Sequence, residues 1–160
     1  MALALLGLGA NLGDRAENIS LALDALDNIP MCRVKRRSSF YETEPFGVPD
    51  EQPDYLNCAA EVETELSPEA LLGACLGVEA ALGRLRPYDK APRVIDIDLL
   101  LYENAERSSA ELSLPHPRMT ERAFVLVPLS DLYPDMNIYG NDYSKHLGSV
   151  CKSGVKKLDI

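Results

Sequence analysis

In the run Arg93-Val94-Ile95-Asp96-Ile97-Asp98-Leu99-Leu100-Leu101, two carboxylates are separated by a single apolar residue. Side chains alternate along a strand, so Asp96 and Asp98 share one face while Ile95, Ile97, Leu99 and Leu101 point into a core from the other. Two adjacent carboxylates in so apolar a strand repel each other and are disfavoured unless a cation compensates. Mg²⁺ suits such a pair, because it takes one or two protein carboxylates and completes its shell with water and substrate phosphates. The bland alternative is a solvated outer face with two ordinary acids.

The charge distribution favours the cation. From residue 84 to 122 there are seven basic residues (Arg84, Arg86, Lys90, Arg93, Arg107, Arg118, Arg122) and seven acidic ones. The whole excess of −9 therefore lies outside the segment that holds the paired aspartates. Arginines beside a two-carboxylate metal site fit a nucleoside triphosphate, since guanidinium groups bind phosphate oxygens in pairs while the metal bridges others. His116, flanked by Pro115 and Pro117, is a candidate phosphate or leaving-group donor. Gly7-x-Gly9-x-x-x-Gly13 has spacing one residue too long for a dinucleotide fingerprint and no P-loop follows it, so a tight turn into the first helix is the better reading.

The elements that must position these groups follow from periodicity and turn chemistry. Ala2 to Leu8 is an apolar run closed by Gly9 and Asn11, the pattern of a buried strand. After Asp14, Ile19, Ala22, Leu23 and Leu26 recur at helical spacing up to about Pro30. A strand is expected from Val34 to Tyr41, then a Pro-rich loop over 43–54, then a strand from Leu56 to Val62 whose Asn57, Glu61 and Glu63 mark a wet face. Ser67 and Pro68 are the N-cap and first position of a helix reaching about Leu82. A charged loop over 84–93 leads into a strand from Val94 to Tyr102, and Thr120 caps a short helix over Glu121 to Leu129. The tail from Asp135 is polar and carries no pattern. The order β-α-β-β-α-β predicts a ferredoxin-like α+β fold: an antiparallel sheet with helices packed on it, plus a short C-terminal helix and tail.

Composition bounds the function. The chain has 160 residues, 46% of them hydrophobic, which is enough to bury roughly 70% of its unfolded surface in one domain spanning 1–160. An acidic chain is a poor general binder of nucleic acid or of a membrane surface, both of which rest on clustered positive charge. Cys32, Cys58, Cys75 and Cys151 form no C-x-x-C pair, and they read as free packing thiols in a reducing, cytoplasmic setting.

Five stretches occur in order: Gly7-Leu8-Gly9-Ala10-Asn11-Leu12-Gly13-Asp14-Arg15, Ser38 to Thr43, Gln52 to Asn57, Pro92 to Leu99, and Leu114-Pro115-His116-Pro117-Arg118-Met119. Together they resemble the 6-hydroxymethyl-7,8-dihydropterin pyrophosphokinase family of folate biosynthesis over residues 2 to 135. The resemblance implies a ferredoxin-like fold and transfer of pyrophosphate from ATP to the pterin hydroxymethyl oxygen, releasing AMP. It implies two Mg²⁺ ions on Asp96 and Asp98, with Arg84, Arg93 and Asp98 at the catalytic positions. Leu76, Glu79, Arg86, Leu99, Ser113, His116 and Arg122 fall at ATP positions. Thr43, Glu44, Phe46, Tyr55, Asn57 and Phe124 fall at the pterin pocket, where an aromatic face and an amide suit a flat, amide-like ring. Lys90 stands where many members carry an aromatic; its charge is placed to reach a phosphate, or Tyr88 to swing in instead. The partners implied are the two small substrates, with no nucleic acid and no membrane, and a monomer is favoured. The competing readings are a metal-dependent phosphoesterase and a non-catalytic ferredoxin-like ligand-binding module. The 84–93 and 43–54 loops flank the proposed site and are expected to act as a lid that excludes water.

Overall fold

The computed structural model describes residues 1–45, 48–83 and 88–160. Strand β1 (Ala2–Ala10) leads through Gly13, whose φ of 67° is the left-handed conformation a glycine adopts freely, into helix α1 (Arg15–Asp27). Asp14 caps that helix by accepting the Glu17 N–H at 3.1 Å. Two strands follow, β2 (Cys32–Arg37) and β3 (Phe40–Thr43), where one was expected. Both pair with β4 (Tyr55–Thr64), β2 along its C-terminal half and β3 along its N-terminal end. The break between them is Ser38, buried with its hydroxyl accepting the Ala59 N–H at 2.9 Å, so a side chain replaces one rung of the ladder.

Helix α2 (Pro68–Ala81) starts at the expected cap, Ser67, whose side chain accepts the Ala70 N–H. Strand β5 (Asp96–Tyr102) then pairs antiparallel with β1, which also pairs antiparallel with β4. The sheet order β3-β4-β1-β5, with β2 beside β4, is the ferredoxin-like arrangement. Beyond it come the short pair β6 (Arg107–Ser108) and β7 (Ser113–Leu114), a 3₁₀ turn (Met119–Glu121) and α3 (Ala123–Leu132). The helix expected over Glu121 to Leu129 thus begins two residues later, with Arg122 at the N-cap position and Thr120 inside the turn that precedes it.

Two cores result, one on each face of the sheet. Ile19, Leu23 and Leu26 of α1 and Leu71, Cys75 and Val78 of α2 cover Leu6 and Leu8 of β1, Cys58 and Val62 of β4, and Ile97 and Leu99 of β5. On the other face Met119, Leu126, Leu129 and Leu132 cover Leu5, Ala59, Leu100 and Leu101. Each large aliphatic side chain fully buried this way is worth about 1.5–3 kcal/mol. Leu101 therefore does not join Ile97 and Leu99 as strict alternation predicts. The register shifts between Leu5 and Leu6, so Leu6 pairs with Leu99 and Leu5 with Leu101, and the extra residue Leu100 turns the end of β5 over.

The β4 face expected to be wet is not. Glu61 is buried, accepting from Arg36 Nε at 3.0 Å, from Tyr139 Oη at 2.8 Å and from the Tyr133 hydroxyl. The tail that carried no pattern supplies one of those partners, Tyr139, and folds into a hairpin of β8 (Asn137–Ile138) and β9 (Asn141–Asp142), a short helix α4 (Ser144–Ser149), and β10 (Val155–Leu158). Strand β10 joins the main sheet beside β3. Among the described residues no helix is long and apolar enough to cross a membrane.

Candidate active site

A cleft of about 990 Å³ opens on the sheet face opposite α1 and α2. Its floor is β1, where Gly7 and Gly9 share the face. Gly7 stands between Asp98 on β5 and Ala59 on β4, and Gly9 between Asp96 on β5 and Asn57 on β4. A Cβ at Gly9 would fall 2.7 Å from Asn57 Oδ1, and one at Gly7 would press on Leu100 at 3.4 Å. The Gly-x-Gly spacing is therefore a side-chain-free strand and not the turn expected of it; only Gly13 turns the chain. The sequence carried this signal in a different form, since glycines two apart on a strand clear one face.

The carboxylates line one side of the floor, as alternation predicted. Arg93 Nη1 lies 2.8 Å from Asp96 Oδ2. The Asp98 carboxyl is pushed up to about 7, by burial first and by the Asp96 charge second, against the opposing pull of Arg122 and Arg93. Two half-buried carboxylates on one strand face, one of them held protonated by its surroundings, are what a divalent cation relieves. Among the described residues no group of three or more metal-ligating side chains occurs, so a cation at this floor would meet the Asp96–Asp98 pair. That fits Mg²⁺, which needs no all-protein cage.

Asn11, which the motif contained but no role was given, ties this wall in place. It is buried; its Oδ1 accepts the Arg93 N–H at 2.7 Å while its own N–H donates to Arg93 O at 3.0 Å. Its Nδ2 donates to Gln52 Oε1 at 3.0 Å and Pro53 O at 3.2 Å. Gln52 Nε2 continues to Lys90 O at 2.8 Å, and the Tyr88 hydroxyl donates to Asp50. The described parts of the two flanking loops thus touch each other directly. Lys90 lines the cleft, whereas the Tyr88 hydroxyl is held by Asp50.

Of the expected ATP residues, Arg122 lines the cleft. Leu76, Glu79, Leu99, Ser113 and His116 do not. Leu76 is exposed on α2, and Leu99 is buried in the helix-side core. Glu79, also buried, accepts the Ile97 N–H at 2.7 Å, satisfying an edge group of β5. Ser113 sits on β7, and the His116 N–H donates to Leu100 O at 2.9 Å. Burial and the Arg122 and Arg118 charges lower the His116 pKa, and its Nδ1 accepts the Arg118 N–H at 3.2 Å. The ring is therefore neutral near pH 7 with its proton on Nε2.

Thr43, Glu44, Tyr55 and Asn57 line the cleft on the other side of the floor, and Phe124 lines it from the first turn of α3. Asn57 Nδ2 donates to Thr43 Oγ1 at 2.5 Å, and Thr43 pairs with Tyr55 across the strands. The Arg122 guanidinium lies 5.5 Å from the Phe124 ring centre. Phe46, Arg84 and Arg86 lie outside the described residues. Val150, Cys151, Gly154 and Val155 of the tail also line the cleft. They had no sequence signal, because they arrive through the pairing of β10 with β3.

Residues 5–134 match the family model described as 7,8-dihydro-6-hydroxymethylpterin-pyrophosphokinase. The chain is 46% identical over 159 residues to the 2-amino-4-hydroxy-6-hydroxymethyldihydropteridine pyrophosphokinase of Methylorubrum extorquens, covering 99% of this chain and all of that one. Identity to the Pseudomonas aeruginosa protein of the same name is 37% over 152 residues, 94% of this chain and 93% of the other. In fold it resembles the crystal structure of wild-type Plasmodium falciparum HPPK-DHPS with SDX-DHP, with a TM-score of 0.69 at 16% identity over the whole of this chain and 48% of that one.

Proposed function

The chain belongs to the 7,8-dihydro-6-hydroxymethylpterin-pyrophosphokinase family, and from that premise we propose how its residues share the work. The reaction transfers pyrophosphate from ATP to the hydroxymethyl group of 6-hydroxymethyl-7,8-dihydropterin, giving the pterin diphosphate and AMP in folate biosynthesis. The alcohol oxygen forms a bond to the β-phosphorus, the bond from that phosphorus to the bridging oxygen on the α-phosphate breaks, and the hydroxyl proton leaves to water. Mg²⁺ supplies charge neutralisation along the triphosphate.

Asp96 and Asp98 hold the metal, as two ions, at one side of the glycine floor. Arg93, fixed by Asn11 through its backbone and by Asp96 through its side chain, presents its guanidinium to a phosphate. Arg84 and Arg86 take further phosphate oxygens by their motif position. Arg122 and the Nε2–H of His116 do so from the start of α3 and the loop before it. Leu76, Glu79, Leu99 and Ser113 border the nucleotide by their motif position, beyond the cleft that Arg122 lines. Thr43 orients the Asn57 amide toward the pterin, whose ring lies against Tyr55 and Phe124, with Glu44 and Phe46 at the rim. Lys90 reaches a phosphate. Such transfer relies on positioning and electrostatics, so no dedicated base is needed. The three buried free thiols support a reducing compartment, and we place the chain in the cytoplasm as a monomeric, single-domain enzyme.

The observation that carries this division is the floor of Gly7 and Gly9, which leaves room for a flat substrate between a carboxylate wall and an amide wall. AMP formation from ATP and Mg²⁺, with and without the pterin, tests it. AMP is expected only with pterin, and none from Asp98→Ala. Phosphate released without pterin would make the protein an esterase, and no product at all would make it a binding module.

A further inference from the structure

The family match ends at residue 134, yet the cleft wall does not. Strand β10 runs antiparallel to β3 with Val155 opposite Thr43, Lys156 opposite Glu42 and Leu158 opposite Phe40. Leu158 packs on the helix-side core, so the strand is anchored at its far end. The turn before it is closed by the Val155 N–H donating to Lys152 O at 3.0 Å and by Cys151 Sγ lying 3.2 Å from Ser153 Oγ. Without β10, β3 would be a four-residue edge strand held on one side only. Thr43, which fixes the Asn57 amide, sits at the very end of that strand.

We propose that the C-terminal segment 150–155 is the specificity-determining wall of the pterin end of the cleft, with β10 positioning Thr43 and Gly154 keeping the wall thin enough to admit the ring. The proposal rests on placing the pterin at the Thr43–Asn57 end. Val150, Cys151, Gly154 and Val155 bring no charge to this side, in contrast to the arginine and aspartate side across the floor. Beside Gly154 the charges are the Glu42, Glu44 and Asp54 carboxylates with Lys156, a predominantly acidic surround that suits the hydrogen-bonding edge of a flat heterocycle better than a phosphate. Gly154 lines the cleft and a Cβ there would meet no atom within 4 Å, so a larger side chain costs the fold little and is added at the cleft wall. Cys151 is the exposed thiol of the four; Cys32, Cys58 and Cys75 are buried. Its alkylation therefore reports on what covers this wall.

Two measurements test the proposal. Gly154→Leu is expected to raise KM for the pterin about fivefold or more, with KM for ATP and Tm unchanged. In the wild type, alkylation of Cys151 is expected to slow when the pterin is added and to be unaffected by Mg²⁺ and ATP alone. An unchanged pterin KM, equal shifts in both KM values, or alkylation indifferent to pterin would each overturn the wall. If the wild type forms AMP normally while Gly154→Leu behaves like it, this inference fails and the assignment of the reaction stands. If the wild type forms no AMP, the assignment fails, and protection of Cys151 by pterin still decides the wall.

Discussion

Gly9 of β1 lies directly across from Asn57 of β4, so close that a Cβ at position 9 would fall 2.7 Å from the Asn57 amide oxygen. Real Cβ atoms do not approach so near, and the amide has little room to yield because its nitrogen is held by Thr43. The glycine is thus required by the orientation of a side chain on the next strand.

Gly9→Ala is expected to fold and to lose pterin affinity. Displacing one buried amide from its partners costs about 1–3 kcal/mol, so KM for the pterin should rise roughly five- to a hundredfold. Steady-state kinetics with each substrate varied in turn checks this; a variant with normal pterin KM would show that Asn57 need not hold its observed orientation.

Asp98 ties activity to pH and opposes stability. Its carboxyl titrates near 7 in the folded chain against an ordinary 3.8, so between those values the folded state holds a proton the unfolded state has released. Metal-free stability therefore falls as pH rises through that window, and the loss is complete above about 7. Asp98→Asn should melt higher than the wild type at pH 8 in EDTA and alike near pH 4. Because the proton competes with the metal, the Mg²⁺ needed for half-maximal AMP formation by the wild type should rise by up to about tenfold from pH 8 to 6. Equal melting at pH 8 would contradict the raised pKa.

Asn11→Asp keeps the shape but removes the amide donors to Gln52 and Pro53. A carboxylate buried against two acceptor oxygens is expected to lower stability by about 2 kcal/mol or more, a fall in Tm of roughly 2–4 °C per kcal/mol. Hydrogen exchange should quicken in the described parts of both flanking loops. Unchanged exchange there would mean the loops are held by something other than this residue.

Glu61→Ala strands Arg36, Tyr133 and Tyr139 without their shared acceptor. A loss of about 2–3 kcal/mol is expected, read as a lower Tm, with both KM values near normal because Glu61 does not line the cleft. A large kinetic defect at preserved Tm would tie Glu61 to the site after all.

The elements and the charged half of the site are written in local sequence patterns. Helical spacing after Asp14, the Ser67-Pro68 start, and the apolar run around Asp96 and Asp98 are local patterns, and local patterns set backbone conformation and which side chains share a face. That is why the ferredoxin-like order and the paired carboxylates were legible, and why five ordered motifs sufficed to suggest the family. The remainder depends on contacts between residues distant in the chain. The bulge at Leu100 reverses a face that alternation alone assigns to Leu101, and Glu61 is buried with Arg36, Tyr133 and Tyr139 as its partners, the two tyrosines coming from a segment some seventy residues on. Gly7 and Gly9 became a floor once β4 and β5 were known to flank β1. Asn11 became a hub once Gln52 and Arg93 reached it. The polar tail lines the cleft through backbone pairing of β10 with β3, and hydrogen bonds between main chains carry no side-chain pattern for a sequence to display.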